Sequence, residues 1–444
     1  MTTGLFGAIF ARGDVDASDT AWLQAMLDTE AALARAAERA GLAPAGSGAA
    51  VTSISKAEFF ENRTLGEDAA ATGNPVPALV RELTRLSGAV VHQGATSQDI
   101  IDTAGMLIAR RAIEVILADL SASAEICAAH ATSDAVMSGR TLLQQAVPVT
   151  FGLVAAGWLT AIDEARQSLH AVKTTRLAIQ FGGAAGTLAS LGDAGPQVAA
   201  FLAEELDLAL PVLPWHTNRL RIIEIAATMS GTCAALGKIA RDITLLAQTE
   251  VAEVHAGTGG SSTMPHKQNP VAAITILGCT KQAPGLLSTL AAAAEQEHQR
   301  AAGAWHSEWQ PFSHLITLTG SAANWSVQLL SDLEIDPPRM HANLNATHGL
   351  PLAESVTRLL TPALGALQAH DLVAQASKQA TAENTNLADA LLSDDATAAA
   401  LADAGITGAQ LESTLEPESY LGATAEFIKR ALAFHAATET VLRA

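Results

Sequence analysis

The chain has 444 residues, of which 49% are hydrophobic and 4% aromatic, and its formal net charge is −19 at pH 7. This charge argues against nucleic acid as a partner, because phosphate binding needs clustered Lys and Arg, which the sequence lacks. No window offers the roughly 20 consecutive apolar residues of a membrane span, so we expect no membrane partner. The scattered cysteines Cys127, Cys233 and Cys279 and the absence of a secretory pattern predict a cytoplasmic protein.

The predicted elements are almost all helices, since the chain is rich in alanine and poor in aromatic residues. Residues from about 16 to 104 hold short helical patterns interrupted by turn signals. From Met106 to about Asp134, apolar residues recur every three or four positions, as on one helical face. Further long stretches without proline cover about 149–180, 218–252, 285–310 and 312–336.

Five long helices in the middle of a chain are typical of a helix bundle. We therefore predict an all-α fold in which a central bundle of five long helices is flanked by two smaller helical domains. The predicted boundaries define an N-terminal helical domain at 1–104, the bundle at 105–350 and a C-terminal helical domain at 351–444.

Three polar clusters interrupt the helical pattern. Residues 92–103 read HQGATSQDIIDT, and Thr96 and Ser97 precede the first long helix, where unpaired N–H groups suit either a carboxylate ligand or an ordinary N-cap. Residues 138–148 read SGRTLLQQAVP and offer the hydroxyl of Thr141 and the amide of Gln144, or serve packing between helices. The glycine-rich residues 181–187 lack the Lys-Ser/Thr ending of a phosphate loop, which predicts a loop where backbone approaches backbone.

The last of the three polar clusters, residues 259–270, reads GGSSTMPHKQNP and holds the residue types best suited to catalysis. Glycines, two hydroxyls, an ammonium and an amide are unsuitable for a helix interior and suitable for a closing catalytic loop. A hydroxyl can transfer a proton beside a carboxylate, while Lys267 and Asn269 can stabilise the enolate-like charge that develops. The competing interpretation, a glycine-rich surface linker, does not account for the MPxKxNP continuation.

This string resembles the signature of the fumarase/aspartase superfamily, GSSxMPxKxN, without a break from Gly260 to Asn269. The resemblance implies that Ser261 transfers the proton, that Ser262 binds substrate, and that Lys267 and Asn269 are catalytic. It also implies that Thr96, Ser97, Thr141 and Gln144 bind substrate, because both other clusters match family segments that do so.

The chain departs from the amine-releasing lyases of this superfamily at two positions. Those lyases place a histidine after the threonine and a glutamate five residues after the signature asparagine, where this chain has Leu142 and Ile274. Without that acid pair, protonation of an amine leaving group is hard to provide. Instead, segments between about 73 and 355 resemble the bacterial 3-carboxy-cis,cis-muconate cycloisomerases.

That resemblance implies lactonisation of 3-carboxy-cis,cis-muconate to 4-carboxymuconolactone, in the protocatechuate branch of the β-ketoadipate pathway, by intramolecular Michael addition with a serine proton donor. The alternatives are an adenylosuccinate- or argininosuccinate-lyase-like β-eliminase and a noncatalytic structural relative. The resemblance also implies a homotetramer with shared active sites and a small polycarboxylate substrate.

Additional cations would suit such a polyanion, and His92, His298 and Arg300 are the candidate substrate-binding residues, although either histidine is equally compatible with a structural role. No cofactor is expected. No metal is expected either, because the histidines are not arranged with carboxylates as ligand pairs and the chemistry needs no Lewis acid.

Overall fold

A computed structural model describes residues 4–257, 259–260, 264 and 267–443. The α-helices in chain order are α1 (Gly7–Phe10), α2 (Asp19–Arg39), α3 (Ser47–Ile54), α4 (Asn62–Thr72), α5 (Val76–Ser87), α6 (Ser97–His130), α7 (Phe151–Thr175), α8 (Gly195–Leu206), α9 (Leu220–Leu246), α10 (Val271–Thr280), α11 (Ala283–Ala293), α12 (Ala304–Ser331), α13 (Pro337–Asn345), α14 (Ala353–Leu364), α15 (Ala366–Glu383), α16 (Leu387–Ser393), α17 (Asp395–Asp403), α18 (Gly408–Thr414) and α19 (Thr424–Arg443).

The described strands are short and pair only as two-stranded antiparallel ribbons. They are β1 (Val136–Thr141) with β2 (Gln144–Thr150), β3 (Val254–Ala256) with β6 (Leu333–Ile335), and β4 (Gly259–Gly260) with β5 (Gln268–Asn269). Helices therefore dominate the described chain, and the predicted all-α class is confirmed.

Of the five predicted long helices, four have a counterpart, since α12 covers most of the stretch 312–336, and one does not. Helices α6, α7 and α9 lie within or close to the predicted stretches, but the stretch 285–310 is not one helix. It contains α11, a connection over residues 294–303 and the start of α12. Pro311 was expected to separate two helices, yet it lies inside α12. The break falls instead at Gly303, whose φ of +111° is unfavourable for other residues.

Contacts group the chain into two compact units. One comprises Met1–Ala122, Glu164–Arg241 and Ala272–Gln328, and the other comprises Ser123–Asp163, Asp242–Val271 and Leu329–Ala444. We call them unit 1 and unit 2. This grouping by contact does not test the predicted boundaries near 104 and 350, which stay predictions.

Each unit has an alanine- and leucine-rich core. In unit 1, α2 buries residues such as Leu27 and Leu33, and its Arg35 is joined to Glu205 at the end of α8 at 2.7 Å. In unit 2, the helices after residue 351 share a core of their own. Its buried members are Val356, Leu360, Ala369, Val373, Ala376, Ala380, Leu387, Ala390, Leu391, Leu401 and Leu411.

Among the described residues, α9 is long and apolar enough by composition to cross a membrane, with a mean hydropathy of 1.3 over its most apolar window. The core helix of a soluble protein has the same properties, and 44% of this window is buried within the chain. The apolar sequence of the helix is also interrupted by charged residues, namely Arg221, Glu224, Lys238, Arg241 and Asp242. Composition alone is therefore weak support for a span.

Candidate functional site

The start of α6 is held in place by a buried carboxylate. Asp99 lies in the first turn, and its Oδ2 accepts hydrogen bonds from the backbone N–H of Thr96 at 2.9 Å and of Gly183 at 2.9 Å. Its Oδ1 accepts from Gly182 N–H at 3.0 Å and lies 2.7 Å from Nε2 of His216. The bond to Thr96 is one half of a capping box, so Thr96 and Ser97 are presented at a rigid helix N-terminus.

The glycine loop at 181–187 packs against the residues just before α6, and at Gly183 backbone approaches backbone, as predicted. A Cβ on Gly183 would lie 2.8 Å from the carbonyl oxygen of Gly94, and one on Gly182 would lie 2.7 Å from Pro214. Gly183 also has a φ of +68°. A Cβ would thus clash with the backbone of Gly94 at one position and with the side chain of Pro214 at the other, so only glycine fits at both.

Arg300 is brought to the same place. Its guanidinium donates to Oγ1 of Thr96 at 3.1 Å and to the carbonyl oxygens of Gly183 and Ala184 at 3.2 and 2.9 Å. Two of the predicted substrate-binding residues, Thr96 and Arg300, are thus in contact. A fixed cation beside a helix N-terminus is a suitable arrangement for an anion.

His92 precedes this helix start and is held by Glu30 of α2. Its Nδ1 lies 2.6 Å from Oε1 of Glu30, and its backbone N–H donates to Oε2 at 3.1 Å. Burial lowers the pKa of His92, but the hydrogen bond and charge of Glu30, together with the charge of Asp99, raise it overall above the usual 6.5. Protonation of His92 therefore stabilises the fold below pH 6.5, and this contribution is lost as the pH rises through the raised pKa.

His298 occupies a different setting. Its side chain is exposed, and its carbonyl oxygen accepts from Oγ1 of Thr217 at 2.9 Å. His92 and His298 have φ values of 58° and 50°, in the left-handed region that non-glycine residues seldom adopt. Such backbone strain is compatible with a functional role but does not select these histidines, because seven other described non-glycine residues share it. Both histidines stay candidates.

A buried network of ion pairs includes Asp102, in the second turn of α6. The guanidinium of Arg219 donates to both oxygens of Asp102 at 2.7 and 3.0 Å and to Glu308 at 2.6 Å. Nε1 of Trp305 donates to Asp102 at 3.0 Å, and Gln296 donates to Glu308 at 2.8 Å. Burial raises the pKa of Glu308 even though Arg219 opposes this shift. The network satisfies these buried charges and ties the start of α12 to α6 and α9.

We expect Arg219→Met to lower the free energy of unfolding by about 3–5 kcal/mol, because Asp102 and Glu308 would remain buried without their cation. Chemical denaturation followed by circular dichroism measures the change. Arg63→Met is the matched control, since Arg63 is 73% exposed and its ion pairs contribute little. A loss below 1 kcal/mol in Arg219→Met would contradict this account of the network.

Unit 2 presents Thr141 and Gln144 at the tip of a hairpin, which the sequence analysis of 138–148 did not predict. The strands β1 and β2 place these residues opposite each other, joined by the two-residue turn Leu142-Leu143. The turn residues have φ values of 52° and 64°, and Leu142 is 97% exposed. Both positive φ values indicate a type I′ turn, which is compatible with the twist of a hairpin.

The base of this hairpin is anchored by charge. Arg140 donates to both carboxylate oxygens of the buried Glu253, at 2.8 and 2.5 Å, and Asn343 donates to the same carboxylate at 2.9 Å. A bidentate pair of this kind fixes direction as well as distance. Thr141 and Gln144 are therefore exposed side chains on a rigid support.

The signature segment is closed by the β4–β5 ribbon, in which Gly259 pairs with Asn269 and Gly260 with Gln268. Lys267 is exposed and Asn269 is half-buried. Ser261 and Ser262, the predicted proton-transfer and substrate-binding residues, lie outside the described residues. Lys267, Asn269, Thr141 and Gln144 belong to unit 2, whereas His92, Thr96, Ser97, His298 and Arg300 belong to unit 1.

Within the described chain, Glu125, His435 and Glu439 carry potential metal-ligand atoms within 4.8 Å of one another. However, Nδ1 of His435 already lies 3.0 Å from Asp163, and Glu439 pairs with Arg443 at 3.1 Å. This group lies on α6 and α19, apart from the clusters that carry the predicted chemistry.

Sequence reasoning missed the residues that support the site from a distance. Glu30, Asp99, Asp102, His216, Arg219 and Glu308 are all buried. One available signal was a charged residue on an apolar helical face. Glu30, for example, shares a face of α2 with Leu27, Ala31 and Ala34, and a buried carboxylate there needs a hydrogen-bond or ionic partner. The partner itself, 62 residues away, left no local trace.

Comparison with known proteins supports a single family. A family model described as "Lyase" matches residues 17–285, and another described as "Adenylosuccinate lyase C-terminus" matches residues 349–431. The chain is 44% identical to a 3-carboxy-cis,cis-muconate cycloisomerase of Pseudomonas aeruginosa over 97% of this chain and 96% of the relative. It is 41% identical to the nitrosuccinate lyase of Streptomyces davaonensis over 97% of this chain and 95% of the relative.

The fold gives the same result. The crystal structure of 3-carboxy-cis,cis-muconate lactonizing enzyme from Pseudomonas putida superposes with a TM-score of 0.92 at 40% identity, covering 98% of this chain and 99% of that chain. The protein is thus a helical enzyme of the lyase class. It belongs to the lyase family of the matching model, which spans more than half of its length, and its predicted place in the fumarase/aspartase superfamily is confirmed.

Proposed function

We propose that this protein is an intramolecular lyase that converts 3-carboxy-cis,cis-muconate to 4-carboxymuconolactone. The single observation that carries this proposal is 44% identity to a cycloisomerase of that name over 97% of the chain. The similarity to the Pseudomonas putida lactonizing enzyme adds to it. By the same argument, the enzyme acts in the protocatechuate branch of the β-ketoadipate pathway. The scattered cysteines support the further proposal that it is cytoplasmic.

The proposed chemistry is an intramolecular Michael addition. A carboxylate oxygen attacks the far carbon of a double bond, a C–O bond forms, and the electron pair moves to the carbon beside another carboxylate. Ser261 donates a proton to that carbon and is reprotonated by solvent. Lys267 and Asn269 stabilise the enolate-like charge, while Thr96, Ser97, Thr141, Gln144 and Ser262 anchor the carboxylates.

The two apolar replacements support this reaction. Leu142 is 97% exposed at the hairpin tip and Ile274 is 51% exposed on α10, so neither carries a proton where amine-releasing lyases place an acid pair. A carboxylate attacks and leaves without being protonated. The reaction therefore does not need the histidine and glutamate that this chain lacks.

The test is direct. Purified protein with 3-carboxy-cis,cis-muconate is expected to show loss of the absorbance of the conjugated diene and uptake of one proton per turnover, because a trianion becomes a dianion. A pH indicator measures the proton uptake. Absence of both changes under conditions where the protein is folded would refute the proposal.

A second candidate is elimination of nitrite from nitrosuccinate, favoured by the 41% identity to nitrosuccinate lyase. Removal of a proton beside a carboxylate would form a double bond as nitrite leaves with the bonding electron pair. Nitrite is a stable anion and needs no acid, so Leu142 and Ile274 do not separate the two reactions. A parallel assay for released nitrite does separate them.

We expect Thr141→Val to raise KM about tenfold, because a hydroxyl bond to a substrate carboxylate is lost without a change in shape. Leu142→Ala is the matched control in the same hairpin. It is expected to change kcat and KM by less than about threefold, since a leucine carries no proton. Steady-state kinetics on both variants measure the effect. Equal KM values for wild type and Thr141→Val would remove Thr141 from the site.

We also propose a homotetramer with shared active sites. Less than half of the apolar window of α9 is buried within one chain, and Leu210, Val212 and Leu213 are exposed. Apolar surface of this extent is typical of subunit interfaces. Light scattering after size-exclusion chromatography tests the assembly, with four chains expected per particle.

A further inference from the structure

Glu30 of α2 and His92 form a close contact near the start of α6. Glu30 is fully buried on α2, and of the described residues only His92 donates hydrogen bonds to it. One carboxylate oxygen receives the backbone N–H of His92 and the other lies 2.6 Å from Nδ1 of its ring. Both oxygens of a buried carboxylate are thus committed to a single residue.

We propose that Glu30 is a positioning residue that keeps His92 as an imidazolium, with Nε2–H available to one carboxylate of the substrate. The proposal rests on the proposed function, in which the substrate is a tricarboxylate. Glu30 does not touch the substrate in this scheme and acts through His92.

Charge balance supports the protonated state. A carboxylate that is buried and ionised needs a cation, because isolated buried charges are very unfavourable. Within the described chain, the charged groups facing the ring of His92 are Glu30 from α2 and Asp99 from α6, both acidic. The raised pKa of His92 agrees with this arrangement.

The geometry also selects the nitrogen that is left for a ligand. Nδ1 is occupied by Glu30, whereas Nε2 has no protein partner among the described residues, and 21% of the His92 side chain is exposed. The backbone N–H of His92, whose φ is 58°, donates to the same carboxylate. Glu30 therefore contacts both the backbone and the ring of His92 and sets its charge.

The position of His92 suits an anion with several carboxylates. It lies four residues before Thr96, whose hydroxyl accepts from Arg300 at 3.1 Å. The segment 92–96 thus has His92 at one end, and Arg300 together with the N-terminus of α6 at the other. A tricarboxylate gains more from this arrangement than a dicarboxylate, because it has an additional charge to pair.

The first test measures the protonation of His92 without any substrate. Diethyl pyrocarbonate modifies neutral imidazole but not imidazolium, so modification of the His92 peptide, quantified by mass spectrometry across pH, reports its titration. We expect a midpoint above 6.5 in wild type and in Glu30→Asp, and a clearly lower midpoint in Glu30→Gln, where only the charge of Asp99 opposes the effect of burial. Identical midpoints in wild type and Glu30→Gln would overturn the proposal.

The second test separates binding from turnover. In Glu30→Gln we expect KM for 3-carboxy-cis,cis-muconate to rise about tenfold at pH 7.5 while kcat changes less than about threefold, and the KM defect to shrink toward pH 5.5 as His92 protonates. In His92→Gln the same KM defect is expected at every pH. The double variant should be no worse than His92→Gln, because Glu30 acts through His92.

These outcomes distinguish the two proposals. A shifted modification midpoint in a protein that turns over neither 3-carboxy-cis,cis-muconate nor nitrosuccinate would refute the proposed function and retain the ion pair. A KM defect in Glu30→Gln that is independent of pH, or that adds to the defect of His92→Gln, would overturn the positioning role. If Glu30→Gln does not fold, the modification midpoint of His92 in wild type decides, since a midpoint at or below 6.5 would show that Glu30 does not keep His92 protonated.

Discussion

Ser261→Ala is expected to lower kcat for 3-carboxy-cis,cis-muconate by about a thousandfold, the range associated with loss of a positioned proton-transfer group. The hydroxyl is the atom that gives its proton to carbon in the proposed addition, and alanine removes only that atom. KM should change little, because the hydroxyl acts on the charge that develops after binding. Stopped assays that detect slow lactone formation measure the residual rate.

The control for this variant is Thr263→Ala, which removes a hydroxyl from the variable position of the same signature. It is expected to retain at least about a third of wild-type turnover. Circular dichroism and thermal unfolding of both variants should match wild type. Near-normal turnover in Ser261→Ala would remove the serine from its role, whatever the substrate.

Lys267→Met should reduce kcat by about a hundredfold or more, because the ammonium is proposed to stabilise a doubly negative carboxylate that exists only near the transition state. Lys267 is exposed in the described chain, so its loss should not alter folding. The effect is therefore expected in kcat and kcat/KM together, with unfolding unchanged.

Lys281→Met is the matched control for this prediction. Lys281 is also exposed, and its described hydrogen bond runs from its backbone N–H to Leu277. Replacement of its side chain should leave kcat within about twofold. If both lysine variants lose the same fraction of activity, the charge of Lys267 has no specific role.

The local sequence pattern predicted some secondary-structure elements correctly and missed others. The alanine-rich periodicity after Met106 predicted α6 because a helical face repeats within four residues. The same rule failed near Pro311, since one lost hydrogen bond in a long packed helix is outweighed by the burial of its neighbours. It also missed the β1–β2 hairpin, whose turn requires positive φ at two leucines that have no intrinsic preference for it.

In the candidate site, too, some residues could be predicted from the sequence and some contacts could not. Thr96, Ser97, Lys267 and Asn269 could be selected from the sequence because their functional groups lie together in short segments. The contact of Arg300 with Thr96 spans 204 residues, and that of Arg219 with Asp102 spans 117 residues. No periodicity within a window of the chain records such pairs.

By itself, the sequence determined the helical class, the superfamily and the residues proposed to carry the chemistry, because helical periodicity and the signature loop are short-range properties. Only the tertiary structure decided which buried polar and charged groups support these residues. Glu30 contacts His92, His216 contacts Asp99, and Arg219 lies between Asp102 and Glu308. The physical reason is that the free energy of a buried ion depends on the partner that folding brings within about 3 Å, and a partner can come from any part of the chain.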